Sequence, residues 1–392
     1  MKIMLFMSRY AKHLGGGGEK IITWLANKLI TCGYEVIILT NAIETIKSRY
    51  TLDTQVKVIN IGGIEPDFGN RSKRLLRDII RPVFSLLINR WREDPFIAAA
   101  YGRIRTEVST VIQNEKPDII MTYSRRDIFS LPADTPPVIA AWHGSDIKIH
   151  EAMKRREISY RVNNMAATQV LIPYFETAVK KYCPKVPVVW IPNPIPSVPE
   201  NLCAIHSADK NRYRIVSVGN LSNGKNFQLL IKAFAAISAK FPEWNVEIYG
   251  TPLAQAYDRY LQSMIDEVGM KSRIFLMGRT DDVPKVLSES DIFAFPSLAE
   301  GFGIALGEAM TAKLPCVGLS STTAVRYLLE GGCGILTDNN IEEYAQALEL
   351  LMSDAQLRCR MGTCGREKIA TYSEDRILNE FNRLFNSILT NN

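Results

Sequence analysis

The chain has 392 residues, 46% of them hydrophobic and 22% charged, and a net charge of +6. That length exceeds what one small core organises and suits two domains of ordinary size. The composition is that of a globular protein, and no apolar run approaches the roughly 20 residues needed to span a bilayer.

The N-terminal stretch "MKIMLFMSRY" is too short in its apolar core for a signal peptide and is read as a first strand. It runs into "SRYAKHLGGGGEK" and then a helical pattern. In that glycine run Gly16 and Gly17 let a backbone approach a ligand closely, and a following helix presents free amides to an anion. A dinucleotide fingerprint fits poorly, because the second strand ends in "ILTNA" without an acid for a ribose. A P-loop fits poorly too, since "GEKI" is not a GK[ST] ending. A plain tight turn stays open as the alternative.

The strands expected next are "YEVIILT" and "VKVINIG". They are followed by "RSKRLLRDIIRPVFSLLINRWRED". Over residues 71–92 it carries seven cationic side chains against Asp78, a net +6. Apolar residues recur there at helical spacing, interrupted at Pro82. A basic face opposite an apolar one suits peripheral contact with an anionic membrane, while solvated arginines on a packed helix are the bland alternative. The strands "PDIIMTYS", "PVIAAWH", "TQVLIPY" and "VPVVWIP" complete the first half. His143, in "AWHGSD", stands at a strand end.

Proline and polar residues then dominate "PNPIPSVPENLCAIHSADKNR", the best linker candidate. Beyond it the expected strands are "YRIVSVG", "WNVEIYG", "RIFLMG", "DIFAFPS" and "LPCVGLS". Continuous apolar strands alternating with helices predict parallel sheets covered on both faces. The fold expected is α/β, two doubly wound Rossmann-like domains facing a cleft. The expected boundaries are residues 1–195, 196–375 and a C-terminal helix over 376–392 packing back toward the first domain. In such sheets ligands sit at the C-terminal ends of strands.

Two loops of the second half follow that rule. "SVGNLSNGKNF" places Gly219, Asn220 and Lys225 between a strand and a helix, where a lysine and free amides can meet a diphosphate. "FPSLAEGFGIALGEAM" places Glu300 after a strand, then Gly301, Phe302 and Gly303, then Glu308 on a helix from Ile304. Glycosidase carboxylates stand roughly 5 to 9.5 Å apart. Eight helical steps of about 1.5 Å would separate these two by roughly 12 Å. The acids are therefore expected to contact different parts of one long ligand, and an ordinary surface role for Glu308 is the bland alternative. Seven cysteines stand singly without CxxC, so neither a disulfide framework nor a zinc site is expected, and reduced structural cysteines are.

These motifs together resemble the retaining glycosyltransferases of family GT4, which have the GT-B fold. The E-x7-E pattern is Glu300 to Glu308, the N-terminal GGxE is Gly16, Gly17, Gly18 and Glu19, and the donor loop is "VGNLSNGKN". The resemblance runs over nearly the whole chain. It implies that Glu300 contacts the donor sugar, that the amides of Gly301, Phe302 and Gly303 hold sugar and diphosphate, and that Glu308 binds the ribose. Lys225 would neutralise the leaving diphosphate, and His143 would lie near the transferred sugar. Gly16, Gly17 and Gly219 would let the backbone close on the phosphates. Asn220 departs from the family's usual arginine and cannot give a bidentate cationic clamp.

The implied reaction moves a hexose or N-acetylhexosamine from a UDP-sugar to a glycan or lipid-linked acceptor, as in bacterial polysaccharide or O-antigen synthesis. The nucleotide sugar is substrate, and neither a cofactor nor a metal is expected. A cytoplasmic protein, peripheral at the inner face of the membrane, is expected. A nucleotide-sugar epimerase or phosphorylase of the same fold, or a non-catalytic nucleotide-binding partner, are the alternatives. No basic stripe is interleaved with aromatics, which argues against nucleic acid.

Overall fold

A computed structural model describes residues 1–10, 16–43, 50–69, 95–204, 211–254 and 256–390. The basic segment 71–92, expected above to contact a membrane, lies outside the described residues. The chain forms two units, Met1–Pro192 with Leu378–Asn392, and Asn193–Ile377.

The first unit holds seven parallel strands: β1 (Lys2–Phe6), β2 (Glu35–Thr40), β3 (Lys57–Asn60), β4 (Ile119–Thr122), β5 (Val138–Trp142), β6 (Ala167–Val170) and β7 (Val188–Trp190). Their spatial order is β3-β2-β1-β4-β5-β6-β7. β1 pairs in parallel with both β2 and β4. The winding therefore reverses between β1 and β4, and the loops leaving those two strands diverge to opposite faces. The C-terminal helix Glu374–Thr390 returns to this unit, where Phe385 meets Tyr34 edge-on at 6.3 Å.

The second unit repeats the plan with β8 (Tyr213–Val218), β9 (Trp244–Tyr249), β10 (Ile274–Gly278), β11 (Ile292–Phe295), β12 (Cys316–Leu319) and β13 (Gly334–Thr337). Their order is β10-β9-β8-β11-β12-β13, so here the winding reverses between β8 and β11. The helix Phe227–Ile237 shows why these segments fold as they do. Phe227, Leu230, Ile231, Phe234 and Ile237 fall at helical spacing and are all buried. Each such side chain stabilises by about 1.5–3 kcal/mol through the apolar surface it removes from water.

Two sequence expectations change. β13 was not among the expected strands. It is a four-residue edge strand entered through Gly331 and Gly332, both with positive φ, so its sequence reads as a turn. The proline-rich linker is not a free tether where it is described. The Ile195 amide donates to the Tyr372 carbonyl, the Ala204 amide to the Ala312 carbonyl, and Arg366 to the Val198 carbonyl. Ile195 also packs so closely on Gly307 that an added Cβ there would stand 2.7 Å from its Cδ1. The strip is stitched onto the second unit.

All seven cysteines are free thiols. No helix among the described residues is long and apolar enough to cross a membrane.

Candidate functional site

Loops that leave β8 and β11 sit where the second sheet reverses its winding. The loop after β8 is held first by backbone. The Gly219 amide donates to the Tyr249 carbonyl, and the Leu221 amide to the Thr251 carbonyl. Gly250 makes this possible: a Cβ there would lie 1.9 Å from the Gly219 carbonyl oxygen. A Cβ on Gly219 would meet the stem of Lys225 at 3.4 Å, so the lysine lies back over its own loop.

Asn223–Lys225 form a 3-10 turn, and Asn226 then takes a left-handed conformation with φ 54° and ψ 36°. Asparagine tolerates that region better than most residues. Its Nδ2 donates to Asn339 Oδ1 at 2.9 Å, which fixes the turn that delivers Lys225. The neighbouring loop is joined to this one by the Leu298 amide, which donates to the Gly224 carbonyl. Thr322 Oγ1 donates to the Ser297 carbonyl at 2.6 Å and Ser217 Oγ to the Ala294 carbonyl at 2.6 Å.

These tethers bring Lys225 and Glu300 together. Lys225 Nζ lies 2.5 Å from Glu300 Oε1, with the two side chains 25% and 12% exposed. The same ammonium stands 5.3 Å from the Phe295 ring. A charge-assisted hydrogen bond in so shielded a place is stronger than a surface ion pair. Gly303 adopts φ 91°, a conformation that glycine alone takes readily, and begins the helix Ile304–Thr311. Phe302 is 2% exposed and meets Tyr372 edge-on at 5.6 Å. Its ring is a packing element, so any ligand contact from Phe302 comes from its backbone.

Glu308 is half-buried, one turn into that helix. The eight-step estimate of its separation from Glu300 does not apply, because the helix starts only at Ile304 and the preceding residues form a turn. Asn220 is exposed beside Gly219. Chemically, the loop pair offers a lysine able to face a developing negative charge, a carboxylate able to accept from hydroxyls, and a glycine-containing turn at a helix start.

Gly16, Gly17 and His143 belong to the first unit. Gly16 is extended, with φ −70° and ψ 155°, and caps the helix Gly17–Thr31, whose first-turn Glu19 is buried. His143 follows β5, its ring 5.2 Å from that of Tyr123 at 75°. Its Nε2 is buried and has no hydrogen-bond partner. Burial lowers its pKa to about 4, against the opposing pull of the Gln169 side chain. At neutral pH the imidazole is uncharged, able to donate one hydrogen bond and accept another.

Sequence reasoning missed Asn226, Gly250 and Gln169. The "KN" pair signalled Asn226 but was read only for its lysine. Gly250 looked like any strand-ending glycine.

Residues 200–368 match the family described as "Glycosyl transferases group 1". A Haemophilus influenzae protein described as an uncharacterized glycosyltransferase is 29% identical over 196 residues, 50% of this chain and 54% of that relative. The D-inositol 3-phosphate glycosyltransferase of Corynebacterium glutamicum is 30% identical over 183 residues, 45% of this chain and 44% of the relative. The chain thus spans about half the length of the curated relatives it matches. The Anabaena protein HepE, solved with UDP and glucose, superposes with a TM-score of 0.71 at 18% identity, covering 99% of this chain and 100% of that one. The two reversed parallel sheets and this superposition give the chain the GT-B fold, and its residues 200–368 resemble the group 1 glycosyltransferases.

Proposed function

We propose that the protein transfers a hexose or N-acetylhexosamine from a UDP-sugar to a hydroxyl of a glycan or lipid-linked oligosaccharide, with the anomeric configuration retained. The bond between the anomeric carbon and the diphosphate oxygen breaks, and the acceptor oxygen joins that carbon on the same face. The acceptor proton goes to the departing diphosphate. The observation that carries the reading is the Lys225–Glu300 pair beside the 301–303 turn at the switch point of the second sheet. Lys225 faces the charge that grows on the diphosphate, Glu300 the sugar hydroxyls, and Glu308 the ribose. His143, neutral and with an unpartnered Nε2, serves the transferred sugar as a hydrogen-bonding group. The glycosylated product belongs to bacterial surface polysaccharide.

A panel of UDP- and GDP-sugars in thermal shift tests the donor. A ligand at one hundred times its dissociation constant stabilises by about 2.7 kcal/mol. A response to GDP-sugars with none to UDP-sugars would overturn the nucleotide, and product NMR reads the anomeric outcome. Conversion of donor without acceptor would move the reading to an epimerase.

Peripheral docking through residues 71–92 is part of the same proposal, supported by the +6 charge of that segment alone. Sedimentation with anionic and neutral vesicles decides it: equal partitioning, or binding unchanged by Arg74→Glu with Arg77→Glu, removes the docking.

A further inference from the structure

The first unit has its own switch point, between β1 and β4, and a cavity of about 710 Å³ opens there. Ser8 and Arg9, just past β1, line it with residues 123–126, just past β4. Among the described residues its lining contains four arginines, Arg9, Arg125, Arg126 and Arg155, and no acidic side chain. We propose that this cavity holds a phosphate carried by the acceptor, on a soluble sugar phosphate or on the lipid link of a lipid-borne glycan. The assignment as acceptor rests on the transferase reading above; the phosphate site itself does not.

The charge is available. Arg9, Arg125 and Arg155 are exposed, and among the described residues no ion pair engages them. Arg126 is pinned by Glu65 at 2.5 Å, yet its Nε is buried without a partner. Asp127, next in sequence to the lining residue Arg126, is fully buried and already engaged: it accepts from the Ser8 amide at 2.9 Å, the Ser8 hydroxyl, and the Tyr123 amide at 3.1 Å. It does not compete for the arginines that line the cavity. Guanidinium forks match phosphate oxygens in pairs, which a lone lysine cannot do.

The rest of the wall is aromatic. Tyr101 lies 5.4 Å from Phe129 and 6.4 Å from Phe68, which is 39% exposed. Flat apolar faces beside cations suit a ring or polyol chain next to its phosphate. The volume agrees, because about 710 Å³ is far larger than a phosphate and falls within the roughly 300–1,000 Å³ of small-molecule sites.

The test is arginine modification by phenylglyoxal, mapped by mass spectrometry on the full chain saturated with UDP, so that the donor site is occupied. The probes are inorganic phosphate, glucose 6-phosphate, and a polyprenyl phosphate in detergent micelles. Controls are sodium chloride at equal ionic strength, glucose, and empty micelles. Modification of Arg9, Arg125 and Arg155 is expected to slow at least five-fold with a phosphate probe and not with its control. Arg383, on the C-terminal helix and absent from the cavity lining, is expected to react unchanged. Protection by glucose 6-phosphate assigns a soluble acceptor, and protection by the polyprenyl phosphate alone assigns a lipid-linked one. Arg125→Gln with Arg155→Gln should abolish the protection of Arg9 while leaving the thermal shift with UDP intact. No protection by any phosphate probe, equal protection by the controls, or protection of Arg383 to the same degree overturns the site. Loss of the UDP response in the wild type would instead strike the donor reading.

Discussion

Lys225 Nζ and Glu300 Oε1 stand 2.5 Å apart, joined from the loops after β8 and β11. The ammonium is therefore already paired, and under the proposed reading a diphosphate would share it with Glu300. Glu300→Gln releases the lysine. We predict that this variant binds UDP as tightly as the wild type, or several-fold tighter, while turnover falls by about 100-fold, the scale of losing one transition-state contact. Calorimetry with UDP beside a transfer assay reads both; a matching loss of UDP affinity would sink the sugar role of Glu300.

Lys225→Ala should act in the opposite sense. Hydrogen bonds to charged groups contribute about 1.5–3 kcal/mol, so UDP affinity is expected to fall by roughly 10- to 100-fold. Glu308→Gln, if it binds ribose, also weakens UDP, though without touching the diphosphate. An unchanged dissociation constant in either variant removes that residue from the nucleotide site.

Asn220 is exposed beside Gly219, so an arginine there meets no packed neighbour. Asn220→Arg is expected to tighten UDP binding by about 1–2 kcal/mol, by adding a charged donor to the diphosphate. Weaker binding would mean that the asparagine itself contacts the ligand.

The fold was legible because the central parallel strands are continuous apolar runs, and twelve strand-sized segments stand out in the sequence between helical patterns. β13 was not, because a short edge strand behind two glycines has little apolar signal to show. Glu300, Lys225 and His143 were legible as strand-end residues. The contact between Lys225 and Glu300 was not, since it depends on how two loops are tied, through Leu298 to Gly224 and Asn226 to Asn339. The four arginines that line the first unit's cavity come from three separate places in the chain, and only the sheet order gathers them.

Gly250 is the position where backbone proximity, not chemistry, limits the side chain. Gly250→Ala would force its Cβ against the Gly219 carbonyl, a rigid atom that cannot turn aside as a side-chain tip does. Overpacking costs about 1–3 kcal/mol, and the upper end is expected here. Since Gly219 precedes the turn bearing Lys225, UDP affinity should drop as well. A variant that melts with the wild type and binds UDP normally would show that the strand ends part freely.

His143 carries a prediction in pH. Its folded pKa is held at about 4 by burial, below the ordinary value of 6.5. Between those values the unfolded chain binds a proton that the folded protein refuses. Stability from this group is therefore complete above pH 6.5 and is lost as pH falls toward 4, after which the loss levels off. The shift corresponds to no more than about 3 kcal/mol. His143→Ala should flatten this part of the acid-stability profile, measured as urea midpoints from pH 7 to pH 4. It should also cut transfer at pH 7, where the wild-type imidazole is neutral. If the variant keeps the wild-type slope, the imidazole is not the group that resists protonation. If it keeps full transfer activity, the unpartnered Nε2 of His143 has no part in handling the sugar.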